Sequence, residues 1–174
     1  MFWAVTVVVN AAASAKTVSK VGILYCSKEA NSKFQVNEAK KALEAKGITV
    51  REFSFSEASE LQAVCNSAKT QDAIYIPTDN TCAEKAEMIG SIFGNEVPIY
   101  AGESNICDAC GFATLSIDYT KLGEITGEMA FNVLLGKEDI REMAVRYDTN
   151  PVKMYKADKC AALGITVSEE YTPF

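Results

Sequence analysis

From Val21 onward, short apolar runs alternate with stretches of helical spacing. The run Val21-Gly22-Ile23-Leu24-Tyr25-Cys26 is apolar on both alternating faces, as expected of a parallel strand covered on both sides. Val36, Ala39 and Leu43 then share one face of a helix predicted over 31–46, which Gly47 ends. A weaker strand over 50–55 and a helix over 57–68 follow, and a third strand over 73–76 stops at Pro77. Ala86, Ile89 and Phe93 mark one side of a helix over 80–93, ended by Gly94. The fourth and fifth strands fall at 97–101 and 112–117, with Pro98 near the start of the fourth, where a missing donor is tolerated. A long helix over 119–135 aligns Leu122, Ile125, Met129 and Val133, and Gly136 closes it. The tail offers short strands at 144–147 and 152–155 and a helix over 157–163. This alternation predicts an α/β fold, a three-layer, doubly wound, mostly parallel sheet with helices on both faces.

At 174 residues the chain fits one domain. Residues 1–19 stand outside the pattern. Phe2 to Val9 is largely apolar and Ala13-Ser14-Ala15 resembles a cleavage site, but no basic residue precedes Lys16 and no lipid-attachment cysteine follows. The segment reads equally as a leader or as the start of a truncated gene product, and 20–174 as the functional lobe. No run is apolar for the ~20 residues that cross a bilayer. A net charge of −6 gives no footprint for nucleic acid. The absence of histidine removes the commonest general base and metal ligand, so no Ser-His or Cys-His nucleophile and no imidazole zinc site is possible within this chain.

In open α/β sheets, ligands bind beyond the carboxyl ends of the strands, near the reversal of strand order. Those positions are polar here. The first strand ends in Ser27-Lys28-Glu29-Ala30-Asn31-Ser32, the third in Thr78-Asp79-Asn80-Thr81, the fourth in Gly102-Glu103-Ser104-Asn105 and the fifth in Asp118-Tyr119. Asn31-Ser32 and Asn80-Thr81 stand at helix starts, whose free N–H groups suit a carboxylate. Asp79, Glu103 and Asp118 supply charge that suits an ammonium, and Tyr25 and Tyr119 could flank an apolar side chain. The pattern predicts a small zwitterionic ligand. Each residue taken alone also reads as an ordinary N-cap, although Gly102-Glu103 opens no strongly patterned helix.

Other chemistry is weaker. Cys107-Asp108-Ala109-Cys110 has the spacing of a redox dithiol, but it falls in a late loop, and no second pair or histidine completes a zinc site. There is no Walker A and no G-x-G-x-x-G, so no nucleotide, cofactor or metal is expected, and no catalytic residue is assigned. The chain is expected not to be an enzyme.

The same loops resemble a known family. Residues 21–32 (VGILYCSKEANS), 73–81 (AIYIPTDNT), 98–103 (PIYAGE), 116–127 (SIDYTKLGEITG) and 159–165 (KCAALGI) are similar, in order, to ABC-transporter substrate-binding proteins of the tryptophan/tyrosine type. The resemblance implies a type I periplasmic-binding fold, of which this chain is a flavodoxin-like lobe. It implies an extracytoplasmic solute-binding component of an importer, with a small amino-acid-like ligand, aromatic ones favoured, and an ABC permease as partner. Carried over residue by residue, ligand contacts fall on Ser27, Asn31, Ser32, Thr78, Asp79, Asn80, Glu103 and Asp118. Two departures stand out: Cys26 replaces the family's asparagine, and the Cys107–Cys110 stretch replaces its small residues. The resemblance also places helix 119–135 against an N-terminal lobe largely missing here, so that it rests elsewhere, pairs with another copy or sits exposed. The alternatives are a flavodoxin-like thiol redox protein using Cys107 and Cys110, and a ligand-sensing regulatory domain.

Overall fold

The computed structural model describes residues 18–174. The leader-like segment therefore lies outside the described residues except for Val18 and Ser19. Val18 packs on the core, and the Ser19 backbone N–H and hydroxyl each donate to Asp72 Oδ2 at 2.9 Å.

The elements in chain order are β1 (Lys20–Cys26), α1 (Ala30–Glu44), β2 (Thr49–Phe55), a 3-10 turn (Ala58–Glu60), α2 (Leu61–Ala68), β3 (Ala73–Ile76), α3 (Asn80–Glu84), α4 (Ala86–Phe93), β4 (Ile99–Ala101), α5 (Ser104–Cys110), β5 (Ala113–Ser116), α6 (Tyr119–Leu134), β6 (Val152–Tyr155), α7 (Ala157–Leu163) and β7 (Thr172–Pro173). The seven strands lie in the order β2-β1-β3-β4-β5-β6-β7, and the pairs β1–β2, β1–β3, β3–β4, β4–β5 and β6–β7 are parallel. From β1 the chain steps out to β2, then returns past β1 to β3 and onward. The order reverses between β1 and β3, and the connections after these two strands diverge to opposite faces there, opening a crevice at their carboxyl ends.

The expected α/β sheet is thus present, and the reason lies in the strand residues. Along β1, Val21, Ile23 and Tyr25 enter one core with Val36 and Leu43 of α1, while Leu24 and Cys26 enter the other with Leu61 and Cys65 of α2. A strand apolar on both faces needs helices on both, which a parallel βαβ path provides. Gly22 sits where neighbouring side chains close in: a Cβ there would lie 2.8 Å from Ile74 Cδ1 and 2.9 Å from Phe53 Cε2.

Several expected elements differ. The single helix over 80–93 is two helices broken at Lys85, whose φ of −106° and ψ of 14° interrupt the turn. Periodicity did not see this, because Cys82, Ala86, Ile89 and Phe93 stay buried across the break. The helix over 57–68 begins as a 3-10 turn, with Glu57 and Glu60 in a reciprocal capping box. No strand forms at 144–147, where Val145 and Tyr147 are exposed. Thr172–Pro173 pairs with β6, a strand too short to show in the sequence. The Cys107 stretch is a helix, α5, not a loop: Ile106, Cys107 and Cys110 form its buried face, and cysteine is a weak signal of helical periodicity.

The described chain divides into two compact units. One comprises residues up to Leu115 together with Lys153–Phe174, and the other is Ser116–Val152. In the second unit, α6 has no buried residue, and Phe131, Leu134, Leu135, Ile140, Val145 and Tyr147 are all exposed, Leu134 at 84%. Arg146 is paired there with Glu128 and Glu138, each at 3.5 Å.

Gly22→Ala is expected to destabilise the fold by about 1–3 kcal/mol through overpacking. Urea unfolding checks it, with the midpoint falling and the denaturant slope unchanged.

Candidate functional site

Asp79 stands at the switch point. It follows β3 as the N-cap of α3, and it is 1% exposed. Its Oδ1 accepts from Cys82 N–H at 2.9 Å within α3. Its Oδ2 accepts from Cys26 N–H at the end of β1 and from Ser32 Oγ in the first turn of α1, both at 2.7 Å. One carboxylate thus ties β1, α1 and α3, and a buried charge is tolerated because three donors face it.

Around it the carboxyl edge forms one hydrogen-bonded rim. Ser27 Oγ donates to Phe55 O of β2 at 3.0 Å. Asn31 Nδ2 donates to Thr78 O at 2.7 Å, and Thr78 N–H donates to Gln35 Oε1 at 2.9 Å. Thr78 Oγ1 in turn donates to Gly102 O at 3.2 Å, past β4. Gly102 permits that approach: a Cβ there would lie 2.9 Å from Pro77 C and Thr78 N, both backbone atoms. Glu103, 4% exposed, caps α5 by accepting from Asn105 N–H at 2.9 Å and from Ile106 N–H. Gly102-Glu103, which opens no strongly patterned helix in the sequence, thus opens the short helix α5. Seven of the eight expected contact residues, Ser27, Asn31, Ser32, Thr78, Asp79, Asn80 and Glu103, lie along this rim. The eighth, Asp118, belongs to the second unit, where its Oδ1 accepts from Thr120 N–H at 2.9 Å and Lys121 N–H at 3.1 Å as the N-cap of α6.

Sequence reasoning missed Glu29. Its Oε2 accepts from Asn80 N–H at 2.8 Å and Asn80 Nδ2 at 3.0 Å. Its Oε1 accepts from Thr81 N–H at 3.0 Å and Thr81 Oγ1 at 2.9 Å. The first turn of α3, expected to face a ligand carboxylate, already holds a carboxylate of the chain itself. Burial is the largest single influence on Glu29 and raises its pKa, but the hydrogen bonds from Asn80 and Thr81 together outweigh it and leave the group below its ordinary value. The only warning in the sequence is that Glu29 directly precedes a helix whose N-cap a serine or asparagine would fill better. Glu29 is the N-cap of α1, yet its side chain makes no cap bond to that helix. Of the helices that follow β1, β3, β4 and β5, α1 is the one left without a side-chain cap.

Tyr25 does not face the crevice: it is buried, its hydroxyl donating to Glu52 Oε2 at 2.9 Å. Tyr119 is exposed on the second unit. All six cysteines are free and buried. Burial pushes the Cys110 thiol up to about 12 and raises the Cys107 thiol as well, so neither supplies the exposed thiolate that dithiol exchange needs. Among the described residues no group of three or more acidic or cysteine side chains is placed to hold a metal, and no helix is long and apolar enough to cross a membrane.

Comparison with known proteins points one way. The family model of ABC transporter substrate binding proteins matches residues 10–172. The chain is 34% identical over 120 residues to a tyrosine-binding protein of Clostridioides difficile (strain R20291), an alignment covering 68% of this chain and 35% of that protein. It superposes with a TM-score of 0.86 on an ABC domain from Streptococcus pneumonia in complex with L-Trp, at 31% identity, covering 95% of this chain and 57% of that one. A ligand-free, open substrate binding protein with adhesive properties from Clostridium difficile gives a TM-score of 0.73 at 29% identity, covering 93% and 56%. The chain therefore spans about a third of the curated relative and just over half of these solved chains.

Asp79→Ala is expected to cost about 2–4 kcal/mol, because it strands the buried Cys26 and Cys82 amides and the Ser32 hydroxyl, and thermal unfolding reads the loss. Stability also depends on acid. Glu29 is depressed as described, Glu52 is depressed first by its bond from Lys40, and Asp72 first by the Ser19 backbone N–H. A carboxylate depressed in the folded state stabilises fully above its unfolded value and loses that contribution as pH falls through the folded one. Stability measured across pH is therefore expected to hold above about pH 5 and to decline below about pH 4.

Proposed function

The chain belongs to the ABC transporter substrate binding protein family, and from that membership we propose that it is a solute-binding lobe which grips the backbone of an aromatic L-amino acid at the carboxyl ends of β1, β3 and β4. The observation that carries the reading is the division of labour along the rim. Asp79 and Glu103 each cap the helix that follows, while the first turn of α1 is left without a side-chain cap. Those N–H groups, with the helix dipole, suit the carboxylate of the solute. Ser27 and Thr78 commit their hydroxyl protons to Phe55 O and Gly102 O, which leaves oxygen lone pairs for the ammonium. Ser27, Asn31 and Thr78 are thus the expected direct contacts. Ser32, Asp79, Asn80 and Glu103 support them from behind, and Asp118 supports the second unit.

The tyrosine-binding relative and the L-Trp complex support tyrosine or tryptophan as the solute. In this reading the protein binds rather than catalyses, delivers the solute to an ABC permease, and works outside the cytoplasm. A closing cleft needs a second wall, and the greater length of the relatives supports a partner lobe that supplies it. The exposed apolar side chains of α6 support a face that this lobe covers.

Calorimetric titration of L-tyrosine and L-tryptophan into the chain, alone and joined to the remaining lobe of a relative, tests this. Saturable binding by the joined protein is expected, with weaker binding by the chain alone, and Asn31→Ala is expected to weaken it about tenfold. No binding by the joined protein would count against the reading.

A further inference from the structure

We propose that Glu29 is a positioning residue that fixes the geometry of the rim, holding the β1–α1 loop against the first turn of α3 so that Ser27, Asn31 and Thr78 face the solute as one preformed surface. The inference rests on the functional reading above but on a separate observation, since Glu29 is not among the expected contact residues and, of those, bonds Asn80 alone.

Four donors converge on the Glu29 carboxylate: two backbone amides, Asn80 N–H and Thr81 N–H, and two side chains, Asn80 Nδ2 and Thr81 Oγ1, at 2.8–3.0 Å. Each oxygen takes one amide and one side chain, so the group is gripped at both ends and cannot pivot about a single bond. Glu29 is also the residue at which the chain turns into α1, in an extended conformation with φ −94° and ψ 114°. Holding its side chain therefore sets the direction in which α1 departs. Asn31 lies two residues on, and its bond to Thr78 O at 2.7 Å requires that direction. Below this outer tie the buried Asp79 makes an inner one through Cys26 N–H and Ser32 Oγ. The two carboxylates play different parts. Asp79 is buried and secures the fold at the switch point, whereas Glu29 is half-buried at the rim and governs the segment that meets the solute. Its tie has a further consequence. By filling the first turn of α3 with a fixed negative charge, Glu29 leaves the start of α1 as the place where a solute carboxylate is received.

The test follows backbone amide exchange residue by residue and L-tyrosine affinity in the full chain, comparing wild type with Glu29→Gln. A Gln amide offers one acceptor in place of two and turns a donor toward donors. Exchange at Asn80 and Thr81 is expected to rise at least about tenfold while the core amides of β1 and β3 keep wild-type rates, and tyrosine affinity is expected to fall about tenfold. Unchanged exchange at Asn80 and Thr81 overturns the proposal, and so does faster exchange with full tyrosine affinity. A role confined to global stability would instead speed exchange in β1 and β3 together with the rim, which also overturns it. Wild-type chain joined to the remaining lobe that binds no tyrosine sinks the functional reading, and the exchange measurement then decides the positioning role alone. Glu29→Asp, too short to span both amides, is the second variant if Glu29→Gln does not fold, with the same outcomes expected.

Discussion

The bonds of the Asp79 carboxylate join three elements that the chain visits far apart: the last residue of β1, the first turn of α1 and the first turn of α3. In a doubly wound sheet the crevice between β1 and β3 is created by the reversal of strand order, and nothing in the sheet ladder itself closes it, because the connections leave to opposite faces. A charge placed there must be satisfied or expelled. Satisfying it with two backbone amides and one hydroxyl turns a weak point of the fold into its most constrained one. The polar rim outward from this point inherits its order.

On the proposed reading, the rim is a binding surface made from groups whose other valences are already committed. Hydroxyls that donate inward keep acceptors, and a helix whose N-cap side chain turns elsewhere keeps donors. Ser27, Thr78 and the start of α1 follow this logic, and Glu103 follows the opposite one by closing its helix to outside partners. A carboxylate near a crevice is therefore poor evidence for an ammonium site until its donors are known. Glu29, Asp79 and Glu103 are all acidic, all near the strand ends, and all engaged by the chain's own amides.

The thiols show the same contrast between type and place. Six cysteines, two of them spaced as a dithiol, invite a redox reading. Packed under α2, α3, α5 and α7 they serve as small apolar side chains, and burial raises the thiols of Cys65, Cys82, Cys107, Cys110 and Cys160. The environment of each sulfur decided its chemistry.

The sequence by itself determined the layer architecture. The two-faced apolar runs of β1 and β3, alternating with helical stretches, call for a parallel sheet covered on both faces, and the helical faces of α1 and α4 are readable from spacing because Val36, Ala39, Leu43, Ala86, Ile89 and Phe93 recur at the helical period. It also placed seven of eight expected contact residues along one rim, since the strand ends follow once the strands are known. What periodicity did not carry was local: the break at Lys85, the short α5 with its cysteine face, and the irregular stretch at 144–147 all turn on single residues or caps rather than on a repeat. Which side chains face outward was decided only by tertiary structure. Glu29 and Asn80 are 51 residues apart in the chain, and their bond exists because β1 and β3 lie side by side. Hydrogen bonds between distant residues have no period and leave no pattern in a sequence, so the chain could announce a polar rim but not which of its groups the fold had already claimed.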